Sequence, residues 1–201
     1  MEELTNKYKE VFGKYPIPET LKKLMDFEKQ YGGETYSECF YLCVDLDKTP
    51  DMGQYSLDGE YFERLMVFAN ADGTGAKYAF WANEMGISLE EAPIIVIGSE
   101  GHIQVMAKNL KELLRLLSFG PETMDGEFYK DLDDFEDPEN ATEFREWMIS
   151  ELNVRPIEKL AIDDSEEVNT IVKEAVQTYG EPFKEWMMSL TPQYASFDEY
   201  D

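Results

Sequence analysis

The order of apolar patterns along the chain predicts an α+β fold, with a largely antiparallel sheet flanked by helices and a C-terminal helical extension. A helical pattern comes first, short apolar segments separated by turn residues follow, and a leucine-rich helical pattern ends the series. Hydrophobic residues make up 43% of the 201 residues, which is enough apolar material to bury a core and argues against a wholly disordered chain.

The first predicted helix lies between a proline signal and a glycine signal. Pro18 stands near the first turn with Glu19 beside it, where proline and acidic residues favour a helix N-terminus. Gly32 and Gly33 follow the last helical residue and end the helix. Between them, long side chains recur at helical spacing: Leu21, Leu24, Met25, Glu28 and Tyr31.

Five strands are predicted after this helix. Residues 38–46 alternate apolar and polar side chains, which is typical of a strand buried on one face. The other four segments indicate two hairpins, because each pair is separated by a glycine-containing turn. These pairs are 65–68 with 77–81 around the turn 71–75, and 94–97 with 103–107 around the turn 98–101.

The leucine-rich helix and the extension complete the chain. Asn109 is a suitable N-cap for a helix that carries Leu110, Leu113, Leu114 and Leu117. Glycine and proline at 120–121 punctuate its end, so we predict a domain over 1–120 and a mainly helical extension over 121–201. Three helical stripes are predicted in the extension, over 141–152, 168–176 and 182–190.

The net charge of −25 indicates which classes of partner to expect. A surface this negative repels nucleic acids and anionic lipid headgroups, so we expect neither as a partner. The charge is uneven, with −8 over residues 1–120 and −17 over residues 121–201. A cationic protein is therefore the predicted partner. The alternative explanation is that the charge only maintains solubility.

The compartment predicted from the sequence is the cytoplasm. The first residues carry no basic and apolar signal pattern, and the longest apolar run, 92–97, is far shorter than the ~20 residues of a spanning helix. On one strand, Cys39 and Cys43 would lie ~13 Å apart, beyond the ~7 Å limit for a disulfide. We expect both to be unbridged thiols.

Catalytic and metal-binding signals are weak. The one histidine, His102, follows a turn and lacks a recognisable triad, and the turn 98–101 lacks the glycine spacing of a nucleophile elbow. One histidine and two cysteines do not supply a closed zinc site, and the acidic run 125–139 lacks the glycine and glutamate positions of a calcium loop. We therefore predict no catalytic residue, no cofactor and no resident metal.

Several stretches together resemble the SUKH superfamily. They are a hairpin, FANADGTGAKYAFW (68–81), a strand and turn, APIIVIGSEG (92–101), a strand and helix, VMAKNLKELLRLL (105–117), and the opening PIPETL (16–21) with YGG (31–33). The resemblance covers about residues 12–120. It implies an α+β domain whose bacterial members are mostly immunity proteins that bind and block a toxin domain, commonly a nuclease or deaminase. It supplies no catalytic residues, and fold alone does not fix function.

Charge and resemblance together predict a non-enzymatic immunity protein that occludes a basic toxin domain. Aromatic and acidic side chains near the 38–46 strand and in loops are the candidate contacts, by analogy with interface anchors. They are Tyr41, Asp45, Asp47, Asp72, Glu84 and Glu100.

Two other classes of function remain open at this point. One is a regulatory scaffold that docks partners through the acidic extension; deletion of residues 121–201 would then leave the first domain folded. The other is a hydrolase that uses His102.

Overall fold

The computed structural model of the protein describes residues 2–44, 58–98, 101–119, 123–124, 127–128, 137–157 and 165–190. Within them lie six helices: α1 (Glu2–Phe12), α2 (Glu19–Tyr31), α3 (Gly59–Arg64), α4 (Leu110–Phe119), α5 (Ala141–Leu152) and α6 (Ser165–Leu190). The strands are β1 (Tyr41–Leu42), β2 (Leu65–Asn70), β3 (Lys77–Trp81), β4 (Ile94–Ile97), β5 (Ile103–Ala107), β6 (Thr123–Met124) and β7 (Glu127–Phe128).

The main sheet has five antiparallel strands in the order β1-β2-β3-β4-β5, so each strand pairs with its neighbour in sequence. Tyr41 of β1 lies opposite Asn70, and Lys77 of β3 lies opposite Ile97 of β4. β6 and β7 form a separate two-stranded hairpin. The predicted α+β class, with its antiparallel sheet, flanking helices and C-terminal helix, is confirmed.

One face of the sheet packs against α1, α2, α4 and α5. Alternate strand residues, among them Phe68, Phe80 and Met106, share a single buried cluster with residues of these helices. Asn109 caps α4 as predicted, because its Oδ1 accepts a hydrogen bond from the Glu112 amide at 3.0 Å. These contacts form the larger of the two apolar cores.

The opposite face of the sheet is covered by α6. The other set of alternate residues, including Val67, Trp81 and Ile95, forms a second cluster with Phe183 and Trp186 of α6. Strands buried on both faces have continuous apolar sequences, which is why β4 and residues 65–69 of β2 are unbroken apolar runs. The extension therefore contributes to the core that also holds the strands of residues 1–120.

Four features differ from the sequence predictions. The helices α1 and α3 were not predicted, and neither was the β6–β7 hairpin. Of the strand expected over 38–46, the described residues 38–44 are in a strand at Tyr41–Leu42, and residues 45–46 lie outside the described ranges. Cys39 adopts a left-handed conformation at φ 56°, which prevents the strand from beginning earlier. The helices predicted over 168–176 and 182–190 are one continuous helix, α6, with Pro182 inside it.

The helices α1 and α3 were not predicted because their short-range signals are individually weak. α1 carries only two fully buried side chains, Tyr8 and Phe12, and α3 has six residues. In α6, packing on the sheet both before and after Pro182 holds the helix together, whereas proline alone predicts an interruption. Tertiary contact has overridden the local signal there.

The cysteine prediction is confirmed: Cys39 and Cys43 are half-buried and not joined by a disulfide. No helix in the described ranges is both long enough and apolar enough to cross a membrane.

Candidate functional site

The sequence-predicted contact residues lie in different environments. Tyr41 is half-buried at the start of β1, and partial burial, with the nearby Cys43 and Glu34 charges, raises the pKa of its phenol. Glu84 is exposed in the loop after β3. Asp45, Asp47 and Glu100 lie outside the described residues.

Asp72 is buried and has a structural role in the β2–β3 turn. Its Oδ1 accepts hydrogen bonds from the amides of Thr74, Gly75 and Ala76 at 2.9–3.0 Å. Only 1% of the residue is exposed, so it does not offer the surface charge that the sequence suggested. The hydrogen bonds within its own turn therefore explain why an aspartate occupies this position.

The three described contact candidates do not share one surface. Asn70 pairs with Tyr41 and donates a hydrogen bond to the Asp72 carbonyl at 2.7 Å, so Tyr41 and the Asp72 turn lie at one end of the sheet. Glu84 follows the last residue of β3 and therefore lies at the other end.

His102 lies in the connection between β4 and β5. It is half-buried, and its carbonyl accepts a hydrogen bond from the Gly98 amide at 2.6 Å, which closes the hairpin. Within the described parts of the chain, no group of three or more His, Cys, Asp or Glu side chains is arranged to hold a metal ion.

A groove of about 300 Å³ between α2 and α5 combines acidic and aromatic side chains. We call it the α2–α5 groove. One face of α2 and one face of α5 line it, because the contributing residues recur at intervals of three and four along each helix. They are Lys23, Asp26, Phe27, Gln30 and Tyr31 from α2, and Glu143, Trp147 and Glu151 from α5.

Stacked and tilted rings form the aromatic wall of the groove. The Phe27 ring centroid lies 4.6 Å from that of Tyr31 and 5.1 Å from that of Trp147. Phe144 stacks on Trp147 from beneath at 5.7 Å. Phe27 and Phe144 are buried, whereas Tyr31 and Trp147 are half-buried and present part of their rings to the groove. Such packing fixes the rings before any ligand arrives.

The carboxylates of the groove differ in their ion pairs. Glu151 lies 3.9 Å from the Lys23 ammonium. Asp26 and Glu143 are exposed, and neither has an ion pair with another described residue. Unneutralised carboxylates beside aromatic rings suit a guanidinium or ammonium group, which stacks on the ring and pairs with the acid.

The acidic surface continues along α5 beyond the groove. Glu139, just before α5, and Glu146, three residues after Glu143 on α5, are exposed, and Ile149 is 57% exposed. An exposed isoleucine beside carboxylates is an apolar contact with an acidic rim, the arrangement of many protein interfaces.

Sequence analysis identified the α5 stripe as a packing face but did not identify the groove. The helical spacing of Phe144 and Trp147 was visible, and so was Tyr31 at the end of α2. The missing information was that α2 and α5 are neighbours, although 110 or more residues separate their facing positions.

Comparisons of the chain with known protein families, with curated proteins and with solved structures find no match.

Proposed function

We propose that this protein is a non-enzymatic, cytoplasmic immunity protein that neutralises a basic toxin domain, of the nuclease or deaminase class, by covering its active site. The α2–α5 groove carries the proposal: two carboxylates that have no ion pair with another described residue stand beside fixed aromatic rings, on a chain of net charge −25. The resemblance of residues 12–120 to the SUKH superfamily supports the same class of function.

The proposed mechanism is electrostatic occlusion. A nuclease cleft is positive because it holds phosphates, so an acidic protein is steered toward it and accelerated in association. An arginine or lysine of the cleft then enters the α2–α5 groove, pairs with Asp26 or Glu143 and stacks on Trp147. The inhibitor makes or breaks no covalent bond.

Charge reversal in the groove tests this proposal with the basic toxin domain encoded beside the gene. The double variant Asp26→Lys and Glu143→Lys is expected to weaken the complex by about 100-fold or more, because two desolvated charge pairs become repulsive. The affinity is measured by calorimetry at low and high salt.

Glu185→Lys with Glu181→Lys is the matched control, since it makes the same change in net charge on α6, which covers the opposite face of the sheet. It is expected to weaken binding less than about threefold at moderate salt. An equal loss of affinity in both double variants would show that net charge causes the effect, and it would contradict the proposed role of the groove. Absence of a complex, together with undiminished toxin activity, would contradict the proposed function.

A regulatory scaffold is the second candidate function, favoured by the exposed Ile149 and the acidic side of α5. A scaffold would bind its partner through the extension and leave the activity of that partner intact. Measuring the catalytic activity of the bound partner therefore separates the two candidates, since an immunity protein abolishes it.

A further inference from the structure

A second groove, between α1 and α2, has the opposite charge. Its volume is about 580 Å³. We call it the lysine groove, because Lys9 of α1, Lys14 of the connection and Lys22 of α2 all line it. Asp26 is the one carboxylate among its lining residues. In a chain with 43 acidic and 18 basic residues, three lysines around one groove form an unusual local excess of positive charge.

Internal ion pairs neutralise this charge only in part. Lys9 is exposed and pairs with no carboxylate among the residues that the structure describes. The Lys14 ammonium lies 5.4 Å from the centroid of the Tyr15 ring and 3.9 Å from the Met85 sulfur, and neither group carries a charge. Lys22 is 3.2 Å from Glu19, but both side chains are more than half exposed, and such surface pairs are weak.

Helix dipoles do not account for the whole set. Lys9 lies in the last turn of α1, where the negative end of the dipole favours a cation. Lys22 lies near the beginning of α2, where the dipole disfavours a cation. Its position is therefore not explained by the dipole of its own helix.

The floor of the groove is apolar. Tyr15 and Met25 are buried and line the groove. Apolar side chains at the floor offer a surface on which an apolar ligand body can pack.

We propose that the lysine groove binds an amphipathic organic acid. Its carboxylate is held by Lys9, Lys14 and Lys22, and its apolar body packs on Tyr15 and Met25. The volume of the groove lies within the range of small-molecule sites, ~300–1,000 Å³. An apolar lining with a few charged groups at one side is the usual composition of such sites.

Calorimetry on the full chain tests the proposal with 4-phenylbutyrate and its neutral analogue 4-phenylbutyramide. The acid is expected to bind at least tenfold more tightly than the amide, because only the acid carries the charge that the lysines attract. Equal affinity for the two compounds, or no binding of the acid up to 10 mM (about the top of the usable range), would overturn the proposal.

Substitutions locate the site. The double variant Lys9→Gln and Lys14→Gln is expected to weaken binding of the acid about tenfold or more. Lys29→Gln is the control, since Lys29 is exposed on α2 but does not line the groove. The affinity of this variant for the acid is expected to be unchanged. Equal effects in the two variants would place the acid elsewhere and contradict the proposal.

A further measurement defines the class of ligand. Inorganic phosphate is expected to bind far more weakly than the acid, and equally tight phosphate binding would overturn the amphipathic class in favour of a simple anion. None of these measurements needs a toxin, so this proposal is tested independently of the proposed function.

Discussion

The Asp72 carboxylate shows how much one side chain determines in this fold. A single oxygen, Oδ1, accepts hydrogen bonds from three backbone amides and from the Thr74 hydroxyl at 2.8–3.0 Å. The turn that they close joins β2 to β3, which are the second and third strands of the main sheet. Asp72 therefore stabilises the β2–β3 hairpin, and an interface role would compete with that task.

Replacing Asp72 tests this role directly. Asp72→Ala is expected to lower the free energy of unfolding by about 2–4 kcal/mol, because partly buried amides lose their acceptor. Asp72→Asn keeps an oxygen at the same position and is expected to cost clearly less. Both values come from urea denaturation. Equal losses in the two variants would show that the charge, and not the acceptor, matters.

Glu28 is the second residue whose environment sets a measurable property. Its Oε1 accepts hydrogen bonds from the Tyr36 hydroxyl at 2.7 Å and from the Leu42 amide at 2.9 Å, which ties α2 to β1. Burial raises the pKa of this carboxyl above its ordinary value, although the two hydrogen bonds lower it in part. Ionisation of Glu28 is therefore less favourable in the folded chain than in the unfolded chain.

The stability of a Glu28→Gln variant should accordingly depend on pH relative to the natural chain. The stabilisation linked to the protonated carboxyl is fully present below the ordinary pKa and is lost as pH rises through the raised folded pKa. Glutamine keeps the hydrogen-bond acceptor without the charge. The free energy of unfolding of the variant therefore increases relative to that of the natural chain as pH rises. Urea denaturation between pH 4 and pH 8 measures the difference, and a constant difference would contradict the prediction.

At the scale of elements, Trp186 is an aromatic anchor in the attachment of α6 to the sheet. The Trp186 ring lies 5.5 Å from Trp81 and 5.8 Å from Phe183, centroid to centroid, and its indole N–H donates to Glu60 at 3.2 Å. The Arg64 guanidinium lies 5.0 Å from its ring. Strand, short helix and long helix therefore meet at Trp186.

Trp186→Ala is expected to lower the free energy of unfolding by about 3–5 kcal/mol, because a large buried ring is lost and the site cannot fully collapse. Val176→Ala on the same helix is the control, since Val176 is 41% exposed, and its cost is expected to be below about 1 kcal/mol. Similar costs for both variants would mean that α6 is held by its whole length and not by this anchor.

At the scale of the whole molecule, the sheet has two apolar faces and needs a cover on each. Residues 1–120 supply α1, α2 and α4 for one face, whereas α6 supplies the cover for the other. Without α6, the buried residues Trp81, Ile95 and Val105 would meet water. A large exposed apolar surface of this kind promotes association.

A chain of residues 1–120 is therefore expected to fail as an independent domain. It should associate in solution, bind a hydrophobic dye and lose the cooperative unfolding transition of the full chain. Light scattering, dye fluorescence and calorimetry measure these properties. A monomeric, cooperatively folding fragment would contradict the structure and would match what the scaffold hypothesis expects of a separable extension.

Sequence patterns determined the elements whose signals are local. The helix after Pro18, both hairpins, the Asn109 cap and the helix over 141–152 each depend on spacing, turn residues or capping within a dozen residues, and all were predictable. The high net negative charge was equally plain from composition.

Tertiary structure decided what depends on contacts between distant segments. The continuity of α6 through Pro182, the burial of Asp72 and the pairing of α2 with α5 follow from the packing of both sheet faces, which no local window contains. The two grooves arise in the same way, because a groove belongs to two helices at once. Local spacing fixes the face that a helix presents, and only the packed core fixes the neighbour that this face meets.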